Sequence, residues 1–65
     1  MENFILLKGM IKGMEEMGAT YIKTDGTHLY FEIPRGCQID NEEYLKIAKE
    51  TFFSAFGLGL KIRKT

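Results

Sequence analysis

The first part of the chain repeats apolar residues at the spacing of one helix face. Leucine, isoleucine and methionine recur every three or four positions, and lysine and glutamate occupy the opposite side of the helical wheel. The pattern predicts an amphipathic helix over residues 3–17 that ends at Gly18. Its apolar stripe consists of Leu6, Leu7, Met10, Ile11, Met14 and Met17.

Two runs of β-prone residues follow and meet at an Asp-Gly pair, residues 25–26, which is typical of hairpin turns. A two-residue turn at this pair places Tyr21 opposite Tyr30. The same register places Lys23 opposite His28. Alternation then predicts an apolar face with Ile22, Leu29, Phe31 and Ile33, and a second face with Tyr21, Lys23, His28, Tyr30 and Glu32.

The remainder of the chain predicts a second helix and a last strand. Asp40 stands where an N-cap is expected, and Glu43 follows three residues later, as in a capping box. The helix is predicted to end at Phe56, with Ile47 and Phe53 outside its apolar stripe. Residues 58–64 alternate apolar residues with glycine, lysine and arginine, which indicates a strand.

This order of elements predicts an α+β fold in two layers, α-β-β-α-β. The most economical arrangement is a small three-stranded sheet, antiparallel or mixed, with both helices on one face. The length of 65 residues predicts a single domain over residues 1–65. A core this small is marginally stable, so self-association through Ile47 and Phe53 is expected, most simply as a dimer.

Charge and composition narrow the class of partner. Nine basic and nine acidic residues give a formal net charge of zero, which does not favour a broad surface for nucleic acid or anionic lipid. The longest apolar run is only residues 4–7, so no membrane partner is predicted. The single cysteine, Cys37, permits no internal disulfide and is typical of the reducing cytoplasm, where we expect the protein to act.

No catalytic motif stands out along the chain. A Walker loop, a dinucleotide fingerprint, paired metal ligands and a nucleophile elbow are all missing from the sequence, so neither a cofactor nor a metal is predicted and a conventional enzyme is not indicated.

The face of the sheet opposite the helices is the better candidate for function. Exposed tyrosines beside basic residues suit a surface that stacks unpaired bases or binds a protein partner, although paired tyrosines also stabilise a small sheet by themselves. The net charge of zero favours the protein partner. The predicted binding residues are Tyr21, Lys23, His28, Tyr30, Lys61 and Arg63. The chain is therefore expected to be a small regulatory or inhibitory binding module of the kind found on phages and plasmids.

A second interpretation comes from the segments at 17–23 and 26–31 and from the helix ending at 56–58. Together they resemble the HicA family of small mRNA-cleaving toxins, which are similar to double-stranded-RNA-binding domains. The resemblance implies that RNA is the substrate, that His28 is catalytic and that Gly26 is the turn before it. It also implies a third strand before the last helix, for which only residues 36–39 are available.

Overall fold

Two helices and three strands make up the computed structural model, which describes residues 2–65. The elements are α1 (Glu2–Glu16), β1 (Thr20–Thr24), β2 (His28–Ile33), α2 (Glu42–Phe56) and β3 (Gly59–Lys64). The α+β class and the predicted order of the elements are confirmed. Residues 36–39, the segment available for a third strand before α2, lie in turns.

The three strands form a mixed sheet in the order β1-β2-β3. The central strand β2 pairs antiparallel with β1 through the hairpin. It pairs parallel with β3, because α2 carries the chain back to the end of the sheet at which β2 begins. The parallel register places Leu29 beside Leu60 and Phe31 beside Ile62. The two residues of each such pair therefore point to the same face of the sheet.

The core lies between one face of this sheet and the two helices. Leu29, Phe31 and Ile33 alternate along β2 and are buried, whereas the residues between them are half-buried. Helix α1 adds buried Met14, and α2 adds Leu45 and Phe52, so both helices cover the same face as predicted. The other buried members are Ala19, Ile39 and Leu60. Within residues 2–65, neither helix has the length and apolarity needed to span a membrane.

The predicted register of the hairpin is wrong, because the turn lies one residue later. The amide of Asp25 donates to the carbonyl oxygen of His28, which leaves residues 26–27 as the central pair. Gly26 has φ of 94° and no other hairpin residue has positive φ. A turn centred on residues 25–26 with both in the left-handed region would strain Asp25, whereas glycine adopts that conformation freely.

A β-bulge changes the register again at Ile22. Tyr21 pairs with Phe31 and Lys23 pairs with Tyr30, so Ile22 is the extra residue and is 49% exposed. The predicted place of Ile22 on the apolar face is therefore wrong, and Tyr21 turns toward the core instead. The bulge brings the rings of Tyr21 and Phe31 into edge contact at 5.6 Å between centroids. Such an aromatic pair contributes about 0.5–1.5 kcal/mol to stability beyond the effect of burying its apolar surface.

The N-cap of α2 is also one residue later than predicted. The helix begins at Glu42, and the Asn41 side chain accepts a hydrogen bond from the Tyr44 amide at 3.0 Å. Asp40 has a different role, since it accepts from the Gly36 amide at 2.7 Å and pairs with Lys64 at 2.9 Å. These two contacts, the Gly36 amide first, lower the pKa of Asp40. Asp40 thus joins the turn before α2 to the end of β3.

Candidate functional site

The sheet face turned away from the helices gathers most of the residues predicted to bind a partner. The parallel register places Lys61 beside Tyr30 and Gly59 beside His28. Lys23 lies beside Tyr30 on its other side. We call this surface the open face, formed by Lys23, Asp25, His28, Tyr30, Glu32, Gly59, Lys61 and Arg63. Five of the six predicted binding residues lie on it.

Tyr21 is the predicted binding residue that does not lie on the open face. The bulge at Ile22 turns its ring toward α1, where it packs against the core and contacts Phe31. Its hydroxyl forms a hydrogen bond with Thr24. The predicted pairing of Tyr21 with Tyr30 is therefore replaced by a pairing of Lys23 with Tyr30.

Tyr30 is held at the centre of the open face by the hairpin turn. Its hydroxyl donates to the Asp25 carboxylate at 2.7 Å. The same carboxylate accepts from the amides of Thr27 and His28, at 3.0 and 2.9 Å. These bonds, the one from Tyr30 foremost, hold the pKa of Asp25 well below its usual range, and the Asp25 carboxylate raises the pKa of Tyr30. At neutral pH the pair is therefore an anion with a protonated phenol.

Charged side chains surround this tyrosine. The Lys23 ammonium lies 5.2 Å from the centre of the Tyr30 ring, within the range of a cation–π contact. Arg63 of β3 forms an ion pair with Glu32 of β2. Lys61 is exposed beside Tyr30, and within the described part of the chain it makes no ion pair. The face thus carries three cations, Lys23, Lys61 and Arg63, and two carboxylates, Asp25 and Glu32.

His28 sits at one end of the face, over a glycine. A β-carbon added at Gly59 would lie 2.5 Å from Cδ2 of the His28 ring, so the imidazole occupies the space that any other residue at 59 needs. Its Nδ1 lies 3.0 Å from the Thr27 hydroxyl. The ring is half-buried and fixed, and Thr27 is its only side-chain hydrogen-bond partner within residues 2–65.

Three residues of the open face were not predicted as part of the site. The sequence pattern identifies Asp25 as a turn residue only, although an aspartate before a glycine is also well placed to accept amide hydrogen bonds. Gly59 is predicted only as one of the residues that alternate with apolar ones in the last strand, because its contact with His28 depends on the strand order. Glu32 was placed on the correct face, but its ion pair with Arg63 required the parallel register. In residues 2–65 no three potential metal ligands lie together.

We compared the chain with protein-family models, with curated proteins and with solved structures. None of the three comparisons found a match.

Proposed function

We propose that this chain is a small binding module that recognises a protein partner through the open face. The observation that carries the proposal is the position of Tyr30, which is held by the Asp25 carboxylate and lies between Lys23 and Lys61 on three paired strands. Tyrosine and arginine are enriched among the residues that dominate protein interfaces. Side chains that are already held in place lose less conformational entropy when a partner binds.

The charges of the open face favour a protein over a nucleic acid. Asp25 and Glu32 lie among its cations, and Glu32 neutralises Arg63. Nucleic-acid surfaces instead present cations that are free to contact successive phosphates. A mixed surface with a central aromatic ring is typical of protein recognition, where charge complementarity fixes the orientation of the partner.

A double charge reversal tests the proposal. We expect a partner that co-purifies with the wild-type protein from its native host to be lost with Lys23→Glu combined with Lys61→Glu. Lys12→Glu, an exposed position on α1, is the matched control and should retain the partner. Nuclease treatment should leave recovery unchanged. Equal recovery with wild type and the double variant would rule out the open face as the binding surface.

RNA cleavage by a HicA-like toxin is the alternative function, and the fixed position of His28 is the observation that favours it. A histidine serves as acid or base near neutral pH, and RNA cleavage requires such a group. We expect the purified protein to leave transcripts intact. Cleavage by the wild type that disappears in His28→Ala, while the variant remains folded, would establish the alternative and displace the binding-module proposal.

A further inference from the structure

The outer edge of β3 presents backbone groups that no other strand uses. Gly59 donates its amide proton to Thr27, and Thr65 donates to Ile33. In a parallel ladder every second residue bonds to the same neighbour. The peptide groups of Leu60, Ile62 and Lys64 therefore point away from β2, and in residues 2–65 no strand lies beyond β3. Such an edge is a template for one more strand.

The two edges of the sheet differ in regularity. The pairing of β1 is interrupted by the bulge at Ile22, and bulges of this kind make an edge less able to pair with another chain. The pairing of β3 runs without a break from Gly59 to Lys64. The β3 edge is consequently the one suited to accept a further strand.

An exposed aromatic ring stands next to this edge. Phe53 of α2 is 65% exposed, and with Leu60 and Ile62 it lines a shallow groove that runs along β3. Lys49 and Glu50 of α2 form the polar margin of the groove. Side chains on the helix side of an added strand would cover Phe53 and the exposed part of Ile62.

The charge of β3 selects the chemistry of the added strand. Residues 59–65 contain three cations and no acidic residue, and of these cations Arg63 is paired with Glu32 and Lys64 with Asp40. Two copies of β3 paired antiparallel about Ile62 would place Lys61 opposite Arg63 of the second copy, and like charges directly opposite each other destabilise a sheet. A strand with an acidic side chain on the open-face side instead complements Lys61, which forms no ion pair within residues 2–65.

We propose that the β3 edge binds an extended segment of a protein partner, which adds a fourth strand to the sheet. Its side chains alternate between acidic residues beside Lys61 and apolar residues beside Phe53. The inference rests on the proposed function in taking the partner to be a protein, and it names the segment that this partner presents. Peptide recognition by strand addition takes its affinity from backbone hydrogen bonds and its specificity from alternate side chains.

Amide hydrogen exchange with a defined peptide tests the proposal. The probe is an eight-residue peptide with blocked ends that alternates glutamate and valine, added at millimolar concentration to the isotope-labelled protein. In the free protein, the amides of Leu60, Ile62 and Lys64 should exchange faster than those of Lys61 and Arg63. The peptide should slow exchange at Ile62 by about tenfold or more. Unchanged exchange at Ile62 would overturn the proposal.

Two control peptides isolate the two features of the probe. One carries N-methyl groups at alternate amides, which removes strand pairing and retains the side chains. The other has lysine in place of glutamate, which reverses the charge. We expect neither to protect Ile62. Equal protection by the lysine peptide would overturn the acidic specificity.

A pair of substitutions separates the backbone from the side chain. Ile62→Pro removes an amide proton that faces the free edge and breaks no bond to β2, whereas Ile62→Ala retains that proton. We expect Ile62→Pro to weaken peptide binding about tenfold or more relative to Ile62→Ala, with Lys61 and Arg63 still protected. If Ile62→Pro does not fold, Lys64→Pro against Lys64→Ala makes the same comparison. Equal binding within the pair overturns the proposal.

The outcomes also distinguish this inference from the proposed function. If the co-purified partner is lost with the charge reversal at Lys23 and Lys61 but retained by Ile62→Pro, the strand addition is wrong and the open face stands. Protection of Ile62 that rises with protein concentration alone identifies a second copy as the occupant and overturns the proposal. Binding of a twelve-nucleotide single-stranded RNA that Ile62→Pro does not affect overturns both proposals.

Discussion

At the scale of single residues, the Asp25 carboxylate organises the hairpin. It accepts hydrogen bonds from the Thr27 and His28 amides, from the Thr27 hydroxyl and from the Tyr30 hydroxyl. The Asp-Gly signal was enough to predict a hairpin here. It did not fix the central pair of the turn, because the side-chain bonds of Asp25 favour a turn in which this residue stays at negative φ.

The hydrogen bond from Tyr30 is the largest cause of the lowered pKa of Asp25. Tyr30→Phe should therefore raise that pKa toward its ordinary value, while the amide bonds from Thr27 and His28 keep it below. Because folding lowers the pKa of Asp25 in the wild-type protein, the ionised Asp25 carboxylate adds to the free energy of unfolding above about pH 4. This contribution is lost as the pH falls further. Carboxyl titration by NMR measures the change. Tyr21→Phe, whose hydroxyl contacts Thr24, should leave the pKa of Asp25 unchanged.

Gly59 is the second residue on which the open face depends. Gly59→Ala would place a methyl group against the His28 ring, so the ring must move or β3 must shift. We expect a loss of about 1–3 kcal/mol in the free energy of unfolding, together with displaced His28 resonances. Gly9→Ala is the matched control, because open space surrounds Gly9 in α1 and alanine favours a helix by about 1 kcal/mol. Equal stability of the two variants would contradict this account of Gly59.

At the scale of elements, periodicity identified both helices and all three strands, since each must bury one side. The faces of β2 were predicted correctly because Leu29, Phe31 and Ile33 alternate without interruption. The bulge in β1 was not predictable in the same way. Tyr21 and Ile22 are both able to fill an apolar position, and the choice depends on Phe31 across the strand and on α1 above it.

The first turn of α2 depends on its side-chain cap. Asn41 provides the side-chain cap, so Asn41→Ala should lower the free energy of unfolding by about 1 kcal/mol and fray the first turn of the helix. Asp40→Ala should instead loosen the turn at Gly36 and the end of β3, leaving the first turn of α2 intact. Denaturant unfolding measures the loss, and amide exchange at Tyr44 locates it. Faster exchange at Tyr44 in Asp40→Ala than in Asn41→Ala would restore Asp40 as the cap.

At the scale of the whole molecule, strand order decides which surface forms. The element pattern was compatible with several orders of three strands. Only the parallel position of β3 beside β2 brings Lys61 next to Tyr30 and Arg63 next to Glu32. Lys61 and Arg63 of β3 thus lie on the same face of the sheet as Tyr30 of the hairpin. Contacts between residues so distant in sequence leave no local pattern, which is why Gly59 and Glu32 were not predicted as contacts of His28 and Arg63.

Two exposed apolar residues of α2 are candidates for self-association. As predicted, both Ile47 and Phe53 are exposed, at 60% and 65%. Phe53 lies beside β3, whereas Ile47 lies beside the groove between α1 and α2, whose lining includes Met10 and Met17. Burying Ile47 against a second copy would remove apolar surface from water, and burial of such a side chain contributes about 1.5–3 kcal/mol.

We therefore expect the melting temperature to rise with protein concentration, since a dimer is stabilised by mass action. Ile47→Gln should abolish this dependence and sediment as a monomer. Ile22→Gln is the matched control, because Ile22 is also exposed but lies on β1, and it should retain the wild-type behaviour. Sedimentation velocity from low to high micromolar concentration decides the question. A wild-type protein that stays monomeric throughout, with a constant melting temperature, would show that the small core is sufficient for one copy and that Ile47 has no role in assembly.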